Sequence, residues 1–230
     1  MKLRIITLLV LASIAAAACS DRIARVEIIP VQDNAAPRNM ARGLFPDAPD
    51  SLFSALGLQD GMPSSVCAFL VRTEGKNILF DAANGAPDSR LPHVLDSCGV
   101  APEDIDMVFV THLHGDHIGG HSRLRQLGIQ KVVSFAAGRD KVENPVPYAI
   151  ATRTRFPAHS PAPQSFLQGV AVDIALEDGE VLADRLQLIH TPGHDDDCVC
   201  WLDIPTGTLI TGDSLQANGT ICQGIGRAHV

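Results

Sequence analysis

Thr111-His112-Leu113-His114-Gly115-Asp116-His117 follows directly on the apolar run Met107-Val108-Phe109-Val110. A continuously apolar stretch over Ile105 to Thr111 reads as a strand buried on both faces. The seven residues after it therefore sit at a strand-to-helix turn, with a helix beginning near Gly119. Between His112 and His117 the turn carries three imidazoles and one carboxylate. Imidazole nitrogen and carboxylate oxygen suit zinc and similar divalent metals. A turn at a strand end can aim alternate side chains into one cavity, and Gly115 allows the tight backbone this needs. The plain alternative, a solvated histidine-rich turn, fits a lone histidine better than a cluster of candidate ligands behind a buried strand.

Two further stretches repeat the arrangement. His190-Thr191-Pro192-Gly193-His194 follows a strand over Leu186 to His190, and Thr211-Gly212-Asp213 follows one over Thr208 to Thr211. Three strand ends thus each deliver ligand-type side chains, and loops at one sheet edge are where sites form. Alone, Asp213 is an ordinary turn aspartate; in this company it is a bridging carboxylate. His190 reads as a strand-end or supporting residue rather than a ligand.

Working outward, Val26 to Val31, Val66 to Arg72 and Asn77 to Asp81 read as strands, the last two joined by the turn Thr73-Glu74-Gly75-Lys76. Asn34 to Ser64 is an irregular loop with a short helix near Ser51 to Leu56. Leu91, Val94, Leu95 and Cys98 share one face of a helix that ends at Gly99. The alternation of strands and helices gives an α/β or α+β class. His121 to Val170 stands apart, with seven Lys/Arg against two Asp/Glu and five of the 15 prolines. Two readings stay open for it: a basic lid over the site, or a poorly ordered insertion.

The 230 residues, 46% hydrophobic and 19% charged, suit one domain or two small ones. Lys2 and Arg4, the apolar run Ile5 to Ile14 and Ala15 to Ala18 have the layout of a secretory signal over residues 1–18. Cys19 adds a lipid-anchored alternative, and both readings place the mature chain outside the cytoplasm, in the periplasm or at a membrane. The formal net charge of −8 argues against nucleic acid as a partner. Cys67, Cys98, Cys198, Cys200 and Cys222 are an odd count, so one thiol stays free or pairs in a way the sequence does not assign. Cys198 and Cys200 read most simply as small core residues on a strand.

The motifs Thr-His-x-His-Gly-Asp-His-x-Gly-Gly at 111–120, Thr-Pro-Gly-His at 191–194 and Thr-Gly-Asp at 211–213 resemble those of the metallo-β-lactamase superfamily of hydrolases. Leu79 to Gly85 is similar to the family's early strand and Asp-containing loop. The resemblance spans roughly Val26 to His117 and Leu176 to Gly224. It implies an αββα sandwich, two mixed sheets face to face with helices outside, filling residues 26–230. It implies that His112, His114 and His194 hold one metal, that Asp116 and His117 hold a second, and that Asp213 bridges them. Two zinc ions are the expected cofactors.

By the same resemblance, a hydroxide on the metal attacks the substrate, and Asp116 orients it and carries a proton. Asp81, His190 and Thr111 are the expected supporting residues, whose hydrogen bonds fix imidazole tautomers. The family's usual further histidine beyond the bridging Asp has only His229 as a counterpart, among the 17 residues after Asp213. The chain thus reads as shortened at its C-terminus, which leaves the second metal weakly held. The bridging carboxylate points to an ester or lactone substrate, acyl-homoserine lactones among them. A β-lactamase is the rival enzyme, and a catalytically impaired metal-binding protein the rival of another class.

Overall fold

The computed structural model describes residues 26–34, 38–45, 47–155, 164–216 and 220–221. The signal-like segment, Cys19, Cys222 and His229 lie outside them.

Two β-sheets pack face to face. The larger contains β1 (Val26–Gln32), β4 (Cys67–Thr73), β5 (Lys76–Phe80), β6 (Met107–Phe109), β7 (Val132–Phe135) and β8 (Ile174–Leu176), side by side in that order. β2 (Arg38–Met40) and β3 (Met62–Ser64) form a separate small ribbon. β1, β4 and β5 are antiparallel neighbours, while β5 to β8 run parallel. Parallel neighbours need crossovers, and helices supply them. After α1 (Asp50–Ala55), α2 (Leu91–Ser97) links β5 to β6, and α3 (Gly115–Ile118) and α4 (His121–Gln126) link β6 to β7. α5 (Arg139–Glu143), α6 (Val146–Arg155) and α7 (Gln164–Leu167) link β7 to β8.

The smaller sheet has the order β12-β11-β10-β9, built from β9 (Val181–Leu182), β10 (Leu186–His190), β11 (Val199–Asp203) and β12 (Thr208–Ile210). It is antiparallel throughout because its strands follow one another through short connections rather than helices.

Strand alternation divides the core. Leu70, Leu79 and Val108 face outward onto Leu91 and Leu95 of α2 and Leu124 of α4. Phe80 and Phe109 face inward onto Trp201, Leu188 and Val199 of the smaller sheet. Phe109 meets the Trp201 ring edge-on at 4.6 Å, and the indole N–H donates to the Val110 carbonyl at 3.2 Å. That bond ties the two sheets together one residue before the histidine turn. The expected sandwich is therefore the architecture found.

Residues 156–163 lie outside the described residues, and the rest of the segment 121–170 is built into the core. It contains β7, buried along its whole length, and Val142 and Phe166 pack with Val110, Leu113 and Ile118 beneath the histidine turn. A strand of four residues buried on both faces shows no alternation, so its pattern is silent in the sequence. Cys198 and Cys200 are buried and unpaired, as core residues would be.

Candidate metal centre

Every proposed ligand comes from one edge of the sandwich. β6 runs into the turn carrying His112 and His114, β10 into Thr191 to His194, and β12 into the 3-10 turn Gly212–Ser214. The first turn is stitched to the smaller sheet by Val199 N–H donating to the Thr111 carbonyl at 2.8 Å. Close approaches explain two of the glycine positions. A Cβ on Gly120 would stand 2.1 Å from the Ala82 carbonyl oxygen, and one on Gly212 would stand 2.6 Å from Thr111 Oγ1. Only hydrogen fits at either point, which is how α4 sits against the Asp81 loop and how Asp213 reaches the histidines.

The donor atoms converge in two groups that share His112. His112, His114 and His194 form one, and His112, His117 and Asp213 form the other, with the donor atoms of each within 4.8 Å of one another. His194 Nε2 lies 3.1 Å from His114 Nδ1. Asp213 stands between the groups, Oδ1 at 3.4 Å from His117 Nε2 and Oδ2 at 3.6 Å from His194 Nε2. His112 Nε2 is buried and makes no hydrogen bond among the described residues.

The charge balance suits metal ligation. Burial, then the neighbouring histidines 117, 114 and 194, push the His112 pKa well below that of a free imidazole. Burial and His114 likewise lower that of His194. Both rings are held neutral, the form that ligates. For Asp213 burial works against ionisation, but the hydrogen bond and charge of His117 outweigh it and leave its pKa at about 2. A buried imidazole nitrogen with no hydrogen bond among the described residues, the neutral rings of His112 and His194 and an ionised Asp213 make a fitting cage for a divalent cation. His117 differs: against its burial, Asp81 and Asp213 raise its pKa well above that of a free imidazole, so it must give up a proton to ligate.

Asp81 and Thr111 contact two of the histidine rings from behind. Asp81 Oδ2 accepts from His117 Nδ1 at 2.7 Å and from the Thr111 hydroxyl at 2.7 Å, while Oδ1 accepts from Thr111 N–H at 2.9 Å. Thr111 Oγ1 lies 3.2 Å from His112 Nδ1. Each contact occupies the ring nitrogen that faces away from the donor cluster and leaves Nε2 toward it. Asp81 does this from a left-handed backbone at φ 61°, an uncommon conformation for a non-glycine residue.

Two of the expected residues lie apart from the donor groups. His190 supports no ligand: its Nε2 lies 2.9 Å from the Asp196 carbonyl and its ring packs on Phe135 at 4.6 Å. As the last residue of an inward-facing row on β10, it stops short of the cluster. Asp116 belongs to neither close group. Successive residues on a helix point about 100° apart, so α3 buries His117 and leaves Asp116 half-exposed beside it.

Sequence reasoning missed Asp195, whose Oδ2 lies 3.4 Å from His114 Nε2 and accepts from the Tyr148 hydroxyl at 2.5 Å. Its position directly after His194 was the available signal. The acidic run Asp195-Asp196-Asp197 also groups closely, but Lys141 reaches all three carboxylates, so the run carries its own cation.

The model of the metallo-β-lactamase superfamily matches residues 61–228. The chain belongs to that superfamily. It is 28% identical over 168 residues to the uncharacterized protein YobT of Bacillus subtilis (strain 168), covering 68% of this chain and 64% of that one. Over 153 residues it is 28% identical to the lactamase-like protein aptB of Emericella nidulans, covering 66% of this chain and 40% of that one. It therefore spans between 40% and 64% of the length of these relatives. The crystal structure of the hydrolase AbOPH, of the β-lactamase superfamily, superimposes with a TM-score of 0.63 at 19% identity, over 80% of this chain and 68% of that one, and shows the shared fold.

Proposed function

We propose that this chain is a metal-dependent hydrolase that cleaves a carboxylic ester or lactone in a small-molecule substrate. The observation that carries the reading is Asp213, which turns one oxygen to His117 after β6 and the other to His194 after β10. His112, His114 and His194 would hold one divalent ion, and His117 and Asp213 a second, with zinc the expected metal. When bound, such ions lower the pKa of water to about 7 and polarise the substrate oxygen.

The protein's own groups do the rest. Thr111 and Asp81 fix the His112 and His117 rings, so the water and the carbonyl meet at a set distance rather than by diffusion. Asp116, half-exposed beside His117, receives the proton of the attacking water and returns it to the departing alkoxide. Water and ester become carboxylic acid and alcohol, with no other reactant. A carboxylate shared between the groups suits a small carbonyl substrate that must be gripped between them.

The test is chelation followed by zinc or manganese add-back, assayed on a lactone, an aryl ester, a β-lactam and a phosphodiester. Lactone or ester turnover should vanish and return. Turnover that survives complete metal removal, or the highest kcat/KM on the β-lactam, would overturn this reading.

A further inference from the structure

We infer that Asp195 is a positioning residue for His114, clamped by Tyr148 and Lys141, and that it thereby makes α5 and α6 part of the metal centre. This rests on the reading above that a cation sits among His112, His114 and His194.

The geometry of His114 sets the requirement. Its Nδ1 faces His194 Nε2 at 3.1 Å and is therefore the nitrogen turned to the shared cavity. A neutral imidazole carries one N–H, so Nδ1 is free to ligate only when the proton is on Nε2. Asp195 Oδ2 stands 3.4 Å from that Nε2. A carboxylate only accepts when ionised, so it selects this tautomer and the ring orientation together. His112 and His117 get the same service from Thr111 and Asp81, which lie just past strands β6 and β5 of the larger sheet. The partner of His114 comes instead from the residue bonded to His194. One short backbone step thus links two ligands of the same group.

Asp195 is itself held on several sides. Tyr148 Oη donates to its Oδ2 at 2.5 Å, Asp196 N–H donates to its Oδ1 at 2.7 Å, and Lys141 Nζ lies 3.8 Å from Oδ1. Lys141 also stands 5.4 Å from the centre of the Tyr148 ring, and that ring lies 6.4 Å from the ring of His114. The seat is close-fitting: a Cβ on Gly138, where α5 begins, would come within 3.2 Å of Asp197 Oδ2. A salt bridge between Lys141 and the acidic run would explain docking alone. It would not explain why Asp195 turns the oxygen that Tyr148 holds toward His114, while Asp196 takes the closest contact with Lys141.

The test compares the full-length chain with Asp195→Ala, Asp195→Asn and Tyr148→Phe. Zinc affinity is measured by competition with a chromophoric chelator, the ligand field by the visible spectrum of the cobalt(II)-loaded protein, and the His114 tautomer by imidazole nitrogen NMR of the metal-free protein. Asp195→Ala should weaken the tighter zinc by roughly 10–100-fold, shift the cobalt bands and leave His114 in mixed tautomers. Asp195→Asn, whose carbonyl oxygen still accepts, should recover most of the affinity. Tyr148→Phe should lose a few-fold, and it carries the test should Asp195→Ala fold poorly. Because coupling is reciprocal, zinc should also slow hydrogen exchange in α5 and α6 of the wild type, and less so in Tyr148→Phe.

Wild-type zinc affinity, cobalt spectrum and tautomer in Asp195→Ala would overturn the inference even where ester turnover proves the hydrolase. A wild type that binds zinc yet hydrolyses none of the four substrates sinks the proposed function, while Asp195 is still judged by its zinc affinity. A wild type that binds no zinc overturns both.

Discussion

The two ends of the sandwich solve the burial of charge in opposite ways. At the end where β4 turns into β5 and β11 finishes, Arg185 lies between the sheets at 8% exposure. Its Nε is 2.5 Å from Asp203 Oδ1, its Nη2 donates to Asp203 Oδ2 at 3.0 Å, and its Nη1 donates to Glu74 at 3.2 Å. One guanidinium thus faces both oxygens of Asp203 and the carboxylate of Glu74, so the buried charge at that end is matched by the chain itself. At the other end, Asp213 and four imidazoles converge, and among the described residues Asp213 pairs with His117 and His194. His112 Nε2 is buried with no hydrogen-bond partner among the described residues. A buried donor set without its counter-charge is costly. Among the described residues the far end meets its buried carboxylate with an arginine, whereas the near end leaves a place for a cation from solution.

The sharpest way to break this contrast is to remove the incoming cation. Chelation, or His112→Ala, should reduce ester or lactone turnover by at least about 10³-fold, the scale of losing several kcal/mol of charge stabilisation. Chelation should also lower the melting temperature, because a ligand that binds only the native state stabilises it. His112→Ala that keeps wild-type turnover would remove the distinction between the ends.

The complementary change is at the far end. Arg185→Met leaves Asp203 buried without its partner and should cost about 3–5 kcal/mol in denaturant unfolding. Zinc affinity should stay unchanged, since the pair lies across the sandwich from the ligands. A loss of zinc binding with no loss of stability would reverse the assignment of the two ends.

A smaller effect follows from Asp81→Asn. Both carboxylate oxygens of Asp81 accept, one from Thr111 N–H and the other from His117 and the Thr111 hydroxyl. An amide must offer its NH2 to one of these donors, which breaks the arrangement that orients His117. Zinc titration should show a loss of roughly 10–100-fold, and an unchanged affinity would show that the site does not depend on this support.

The site was legible in the sequence as far as its ligands lie next to apolar strands. His112 to His117, His194 and Asp213 each follow such a run, and Asp81 and Thr111 sit at strand ends of the larger sheet. What stayed hidden needed distances the sequence does not hold. Tyr148 and Asp195 are 47 positions apart, and only the docking of α6 brings them together. The basic excess of 121–170 left a lid and an insertion equally open because a charge count cannot say that Arg125 pairs with Asp173 or Lys141 with Asp196. β7 lacked a pattern because both its faces are buried. His190 looked like a supporting residue by its closeness to the motif, but its place on β10 turns it to Phe135 and the Asp196 carbonyl instead.

The smallest effect probes the border between the two solutions, the acidic run that meets Lys141 beside the metal centre. Asp197 is buried at 5% exposure, and its Oδ1 makes no hydrogen bond among the described residues. Burial raises its pKa to about 6; Lys141 opposes this, and Asp195 and Asp196 reinforce it. The folded protein therefore holds this proton more tightly than the unfolded chain does. Stability from this group is present below the ordinary carboxylate pKa of about 3.9 and is lost as pH rises through about 6. Between about pH 5 and 7 the loss amounts to about 1 kcal/mol by linkage. Asp197→Asn keeps the shape and removes the titration, so the variant should gain on the wild type by about that much across the same interval. Parallel stability curves for the two proteins would mean that Lys141 neutralises Asp197 as fully as Arg185 neutralises Asp203.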